Sequence, residues 1–288
     1  MDTFLLALVI GAMFSAQYAL IALGFTLVFG ILGVVNFAHG SMYMLGGYVA
    51  YWSVSTLGLP YPIAVAIAVL FTGLLGALIE ILLVHRIVED HLSTLILTLG
   101  VSLVIVTGVS LIFGHEAPQF TFPIAGSIPL GPAYMPLDRL IVMIVSGVAI
   151  LAVYLLIFRS AFGRAVRALS IDQSIARTYG MNPRVLFAVT MALSSGLAAL
   201  AGALVTPILS LSPHAGESVL LTAFVVVILG GLGSIIGATW AAVITGMIQS
   251  FAGIYVGGSL GTLLLFVLVI AVLTVRPSGL FGAPARGA

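Results

Sequence analysis

Long apolar segments alternate with short polar ones along almost the whole chain. Nine of these segments are close to the length of about 20 residues that a helix needs to cross a bilayer: 4–28, 38–57, 61–84, 92–113, 140–158, 185–206, 218–235, 236–254 and 260–275. The pair that meets near Gly233 could instead include a re-entrant segment. The pattern predicts an all-α transmembrane bundle of about eight or nine spans, forming a single membrane domain over residues 1–288.

The composition favours helices over a soluble domain or a barrel. Of the 288 residues, 62% are hydrophobic and 6% are charged, whereas a soluble domain carries about 25% charged residues. Because so few charges cannot cover a water-facing surface, lipid must surround most of the molecule, and only helices or a closed barrel satisfy their backbone there. Barrel strands alternate apolar and polar residues, but the apolar runs here are continuous.

The remaining composition excludes several kinds of chemistry. The net charge is +1 and there is no cysteine, so we expect no nucleic-acid partner and no thiolate chemistry. The phosphate-binding loop of nucleotide hydrolases requires a lysine, and the sequence contains none. The spacing of His115, Glu116, His214 and Glu217 is not typical of a metal site. We therefore expect no catalytic residue, metal or cofactor in this chain.

The arginines predict how the chain is oriented. Short cytoplasmic loops of membrane proteins are enriched in Lys and Arg. With nine crossings and the N-terminus outside, the C-terminus and eight of the nine arginines fall on the cytoplasmic side, while Arg139 lies outside beside Asp138. The loop at 114–138 then faces outwards. Its five prolines would suit either contact with a soluble partner or a stiff connector.

The loop at 160–184 is the most informative hydrophilic stretch. Its pattern predicts a short helix at 161–169 that carries Arg164 and Arg167 on one face, and a second at 173–179 that Asp172 caps. Gly180 is the residue type expected just past a helix end, and Asn182-Pro183 is typical of the start of the next one. Two small helices offer a surface to a protein partner, although the arginines could instead enforce topology and bind lipid headgroups.

Four stretches of the chain resemble permease subunits of ABC importers for branched-chain amino acids. The loop departs from the general E-A-A-x(3)-G pattern at Ser174 and Ile175, and fits better the variant D-x-x-x-A-R-x-x-G-I-N. The residues that match this variant are Asp172, Ala176, Arg177, Gly180 and Asn182. The other three stretches are VVNFAHGSMYMLGGY at 34–48, LSTLILTLGVS at 92–102 and RPSGLFG at 276–282.

The resemblance implies an ATP-driven importer in a bacterial inner membrane. A soluble periplasmic or extracellular binding protein would deliver the amino acid, and a second related permease would complete the path. Two cytoplasmic ATPases would hold ATP and Mg²⁺ and contact the loop at 160–184. Urea or short amides are alternative cargoes. An ion-coupled secondary transporter or a purely structural subunit is a further alternative, but the former predicts acidic residues at mid-membrane, and the sequence has almost none.

A glycine-rich break at 30–47 is the best candidate for the substrate pathway. It surrounds two polar residues, Asn36 and His39, with five glycines. Such broken helices are typical of transporter binding sites, although the polar groups could instead form hydrogen bonds that lock two helices. The candidate pathway residues are Asn36, His39, Gly40, Ser41, Thr98 and Ser102. For Glu80, near a helix end, we expect a structural role.

Overall fold

The fold is a bundle of helices with one small β-hairpin. The computed structural model describes residues 2–88, 90–124, 126–130 and 133–282. Its helices are α1 (Asp2–Leu32), α2 (Ala38–Ser55), α3 (Tyr61–Leu82), α4 (His91–Phe113), α5 (Leu137–Arg159), α6 (Ala161–Ile171), α7 (Gln173–Thr178), α8 (Pro183–Val205), α9 (Ala215–Gly230), α10 (Ile235–Tyr255) and α11 (Gly258–Val275). A short 3₁₀ turn follows α3, and β1 (Ser127–Leu130) pairs antiparallel with β2 (Ala133–Pro136).

Six helices in the described part of the chain are long and apolar enough to cross a membrane: α1, α3 with its 3₁₀ turn, α4, α5, α8 and α10. The apolar helix α9 and the segment Leu263–Val275 of α11 are shorter. Each of the nine predicted apolar segments lies mainly within one helix, so the helical membrane bundle is confirmed. The number of eight or nine full crossings stays a prediction.

The two ends of the bundle differ in composition. We call the end that carries α6 and α7 the arginine-rich end, and the end that carries β1 and β2 the hairpin end. Helix α5 connects them, because it follows β2 directly and leads into α6. Arg286 lies outside the described residues.

Helices α2 and α8 form the centre of the bundle. Along α8, all residues from Ser194 to Val205 except Leu200 are buried, and this helix packs against α1, α2 and α3. The other extensive helix pair joins α1 to α10. Helices α4 and α11 lie at the periphery and expose large apolar side chains such as Leu111 and Ile270, as expected of a surface that lipid covers.

Small residues allow the central helices to approach closely. A β-carbon on Gly202 would overlap the carbonyl oxygen of Tyr43, and one on Gly46 would overlap the backbone of Ala199. Each helix thus contributes one glycine to the contact, Gly202 from α8 and Gly46 from α2. Without water between helices to drive association, such close packing is the main attraction that membrane helices have. The α2–α8 contact therefore depends on the absence of these two side chains.

Two helices begin inside the bundle and not at one of its ends. The backbone N–H of Phe37, just before α2, donates to Oγ1 of Thr98 at 3.2 Å, and Thr98 lies about 10 Å along α4 from its start. At the start of α9, Gly216 packs directly on Gly40 of α2. Residues 206–214 therefore turn back from the hairpin end into the bundle, where Leu211 is buried against α2.

The break near Gly233 has an ordinary geometry. Residues 231–234 connect α9 to α10 at the arginine-rich end, and positive φ angles occur at Gly231 and Gly233, at 100° and 82°. The re-entrant segment of this region precedes α9 and does not follow it. Its position is set by the contact between Gly216 and Gly40, which neither local segment reveals by itself.

The loop at 160–184 folds into two helices whose bounds are close to the predicted ones. Helix α6 extends two residues beyond the predicted end, to Ile171, and α7 ends one residue earlier, at Thr178. Gly180 has a φ of 77°, and Oδ1 of Asn182 accepts a hydrogen bond from the N–H of Arg184 at 3.1 Å to cap α8. The predicted glycine at the helix end and the Asn-Pro start of α8 are confirmed.

We expect that Gly202→Ala will destabilise the purified protein by about 1–3 kcal/mol, since overpacking forces helices apart. Gly108→Ala is the matched control, because nothing lies within 4 Å of a β-carbon there and alanine favours a helix interior. Thermal unfolding in detergent should show a lower midpoint for the Gly202 variant alone. Equal midpoints for the two variants would contradict the packing described for α2 and α8.

Candidate functional site

A small cavity lies where α2, α4 and α9 meet, and three polar side chains reach it among mostly apolar ones. Its volume is about 30 Å³, enough for one water molecule. Three of the six predicted pathway residues line it, namely Gly40, Ser41 and Ser102. The other lining residues are Phe37, Val106, Pro213, Gly216, Glu217 and Leu220. The structure thus joins half of the predicted set with a segment around α9 that lies outside that set.

The cavity lies at the middle of the bundle's depth. Ser102 is the central residue of α4, which spans His91–Phe113, and is therefore about 16 Å from either end of that helix. The first turns of α2 and α9 approach this level from opposite directions. Many secondary transporters bind their substrate near the midplane at interrupted helices, and this cavity has a similar position.

Asn36 and Thr98 make hydrogen bonds within the protein. The Asn36 side chain accepts from the N–H of Ala38 at 3.0 Å and its amide points at the sulfur of Met191 at 3.6 Å. Thr98 accepts from the N–H of Phe37 and donates to the carbonyl of Leu95 at 3.0 Å. Both side chains are buried, and their contacts stabilise the break before α2. Their predicted place in the pathway stays a prediction.

The side chain of His39 in α2 contacts two other helices through hydrogen bonds. Its Nε2 lies 3.0 Å from the carbonyl oxygen of Ile21 in α1, and its Nδ1 lies 3.3 Å from the hydroxyl of Ser194 in α8. Because a carbonyl can only accept, Nε2 carries the hydrogen and Nδ1 accepts from Ser194. Gly24 leaves room for the ring, since a β-carbon there would lie 2.9 Å from it. The geometry assigns His39 a structural contact between α1, α2 and α8.

Glu217, which is not among the predicted pathway residues, lies at this central site. Oε1 of Glu217 is 2.8 Å from Nδ1 of His214, and the side chains are 70% and 65% exposed. Only the re-entrant path of 206–214 brings them to this depth. The sequence contains one hint, which is that Gly216 precedes Glu217 in a segment otherwise suited to a helix end.

The arginine-rich end carries the loop at 160–184, which is the predicted contact surface for the ATPase. Arg164 and Arg177 are exposed, whereas Arg167 donates to the carbonyl of Ile157 and lies 5.5 Å from the ring of Phe158. Ala176 is buried. Arg167 therefore holds α6 to the last turn of α5, which leaves two arginines of the loop free to face outwards.

Glu80, for which we expected a structural role, belongs to a chain of polar contacts at the same end. Its Oε1 lies 3.2 Å from Nδ1 of His85, whose Nε2 accepts from Nε of Arg184 at 2.9 Å. The contacts connect the end of α3 to the first turn of α8. The arrangement ties the exit of the arginine-rich loop to the membrane bundle.

Metal binding receives no support from the geometry of the described residues. No three of their histidine and acidic side chains come together in a way that could hold an ion. At the hairpin end, His115 and Glu116 are exposed. The expectation of no metal stays a prediction.

The architecture is that of a polytopic membrane transport protein, with interrupted helices at a central cavity. The fold is similar to that of the structure "PsaBC from Streptococcus pneumoniae in complex with Fab", at a TM-score of 0.50 and 17% identity, over 96% of this chain and 91% of that one. This similarity concerns the fold alone.

Residues 7–273 match the family described as the permease component of the branched-chain amino acid transport system, and the chain belongs to that family. It is accordingly a transport permease and not an enzyme. The chain is 32% identical to the high-affinity permease protein LivH of Salmonella typhimurium, over 95% of this chain and 94% of that one. It is 30% identical to BraD of Pseudomonas aeruginosa, over 98% and 96%. The ribose import permease RbsC of Escherichia coli is 27% identical over 81% and 73%.

We expect that Thr98→Val will lower the stability of the purified protein by about 1–2 kcal/mol, because the N–H of Phe37 loses its acceptor inside the bundle. Thr98→Ser keeps the hydroxyl and serves as the control. The measurement is the midpoint of thermal unfolding in detergent. Identical midpoints for the valine and serine variants would show that the hydrogen bond at the break contributes nothing.

Proposed function

We propose that this chain is the membrane-spanning permease subunit of an ABC importer that carries branched-chain amino acids. The observation that carries the proposal is the match to LivH and BraD at 32% and 30% identity over nearly the whole length of both chains. The similarity to the ribose permease is weaker and covers 73% of that protein. An amino-acid cargo is therefore better supported than a sugar.

The partners follow from the class of transporter. A soluble binding protein would deliver the substrate at the hairpin end, and a second, related permease would lie beside this one. Two ATPases would bind at the arginine-rich end, since the excess of arginine favours the cytoplasmic side for it. The N-terminus would then lie outside and the C-terminus inside.

The exposed surface of α6 and α7 is suited to contact the ATPase. Ile171 and Tyr179 are exposed to 83% and 80% on a loop that also presents Arg164 and Arg177. Contact with an ATPase would remove both apolar side chains from water, which is favourable. In the proposed complex the two apolar residues insert into the ATPase, and the arginines pair with acidic groups around it.

Helix α8 would carry movement from the loop to the centre of the bundle. Gly180 follows the end of α7, and Asn182 caps α8 two residues later. Helix α8 then packs on α2 and α3. ATPase closure would shift α6 and α7 as a unit and move α8 with them, giving two discrete arrangements of the bundle. The cavity between α2, α4 and α9 would then open to one side of the membrane at a time.

Reconstitution tests the proposed function directly. Vesicles that contain both permeases and both ATPases should take up labelled leucine when ATP is supplied on the ATPase side and the binding protein on the opposite side. An excess of isoleucine or valine should compete, whereas ribose, urea and acetamide should not. Uptake that persists without ATPases would support a secondary transporter, and competition by urea but not by valine would replace the amino-acid cargo.

We predict that Gly180→Val will reduce ATP-coupled leucine uptake at least about tenfold, because valine strains a backbone with positive φ next to the ATPase surface. Gly58→Val is the matched control. Gly58 also has a positive φ, 64° against 77°, and neither glycine has an atom within 4 Å of a β-carbon, but Gly58 lies at the hairpin end.

The ATPase that co-purifies with each variant provides the second measurement. We expect less ATPase, or ATP turnover that no longer responds to substrate, for the Gly180 variant only. Equal uptake by the two variants would contradict the coupling role of this loop.

A further inference from the structure

The most unusual surface of this bundle is a charged pair exposed at the middle of its depth. Glu217 and His214 are 70% and 65% exposed, and Glu217 lines the same cavity as Ser102, the central residue of α4. An exposed carboxylate near the bilayer centre costs about 3 kcal/mol or more if lipid surrounds it. The surface around Glu217 must therefore face water or another protein.

The neighbouring surface of α4 has the opposite character. Leu103 and Val104, which follow Ser102, are 61% and 73% exposed and suit contact with lipid. The bundle therefore has an apolar side that faces lipid and, a short distance away, a charged side that lipid cannot cover. Glu217 lies on the second side.

One carboxylate oxygen of Glu217 remains available to accept a hydrogen bond. Because a carboxylate can only accept, the hydrogen between Glu217 and His214 belongs to Nδ1 of the imidazole, 2.8 Å from Oε1. With a neutral imidazole the pair retains one negative charge. Oε2 of Glu217 has no hydrogen-bond partner among the residues described, so it can accept from a cation.

We propose that Glu217, oriented by His214, binds the ammonium group of the amino acid as it passes the middle of the membrane. The inference rests on the proposed function, since an amino acid is the cargo that carries an ammonium group. Ser41 and Ser102 lie on the walls of the same cavity and supply further polar contacts. Glu217 is then a substrate-binding residue, and His214 positions it.

The size of the cavity limits what this chain recognises. Its volume of about 30 Å³ is far below the roughly 300 Å³ of a site that encloses a whole small molecule. The glycines at positions 40 and 216 approach each other closely and both line the cavity. The ammonium end alone enters, while the branched side chain stays outside against the second permease. This chain therefore recognises the group that all amino acids share.

Charged thiol reagents test the local potential, because the native chain has no cysteine. In assembled importer that carries Ser218→Cys, an exposed position beside Glu217, a positively charged methanethiosulfonate should react about tenfold faster than a negatively charged one, because the carboxylate of Glu217 lies nearby. Adding Glu217→Gln should bring the two rates close together, and adding Glu116→Gln should not. Val104→Cys is the control for a lipid-facing position and should react with neither reagent.

Transport provides the second measurement. Glu217→Gln should lower leucine uptake at least about tenfold with the complex intact, Glu217→Asp should restore much of it, and Glu116→Gln should leave it unchanged. The proposal would be overturned if the Ser218→Cys variant reacted with neither reagent, or if the two reagents reacted at equal rates with Glu217 present.

Two further outcomes separate this inference from the proposed function. If the native importer takes up no leucine, the proposed function itself fails. If the native importer is active and the Glu217→Gln variant is equally active, only the role of Glu217 fails. Loss of the second permease from purified Glu217→Gln complex would make Glu217 a subunit contact, which also overturns the proposal.

Discussion

The close contact between α8 and its neighbours is the interaction on which the rest of this structure depends. Gly202 and Ala199 bring α8 against α2, and Ser195 lies against Gly76 of α3. Lipid offers no hydrophobic gain for joining two apolar helices, so dispersion at short range and a few hydrogen bonds must hold them. The hydrogen bonds of His39 to Ile21 and Ser194 then fix α1 to the same unit. Larger side chains at these glycines would separate the helices and remove those bonds.

The break before α2 follows from the same contact. Because α2 is held against the middle of α8, the chain leaves α1 at Leu32 and must return through the bundle before α2 can begin. The polar groups exposed by this interruption are paired with Thr98 and Asn36, as membrane interiors require. The start of α9 rests on Gly40, so the position of the central cavity is set by the packing of α2.

Sequence patterns predicted the helices and the residues at their ends well. They predicted poorly how deep in the bundle a given residue lies. The Asn182-Pro183 start of α8 and the glycine at position 180 depend on neighbouring residues only, and both were confirmed. The depth of Glu217 depends on the contact of Gly216 with Gly40, which lies 176 positions away in the chain, and no local pattern contains it. His39 illustrates the intermediate case, because a hydrogen bond between helices was one of the two roles considered for it, but its partners in α1 and α8 follow only from the fold.

The central claim is that α8 transmits movement of the arginine-rich loop to the junction of α2 and α9. Pulsed EPR on the assembled importer tests this claim most directly, with spin labels at Arg177→Cys in α7 and Leu221→Cys in α9, both exposed positions in this chain. The account predicts two distance distributions, one without nucleotide and one with ATP, whose means differ by at least about 2 Å. A single unchanged distribution in an importer that is actively transporting would contradict it.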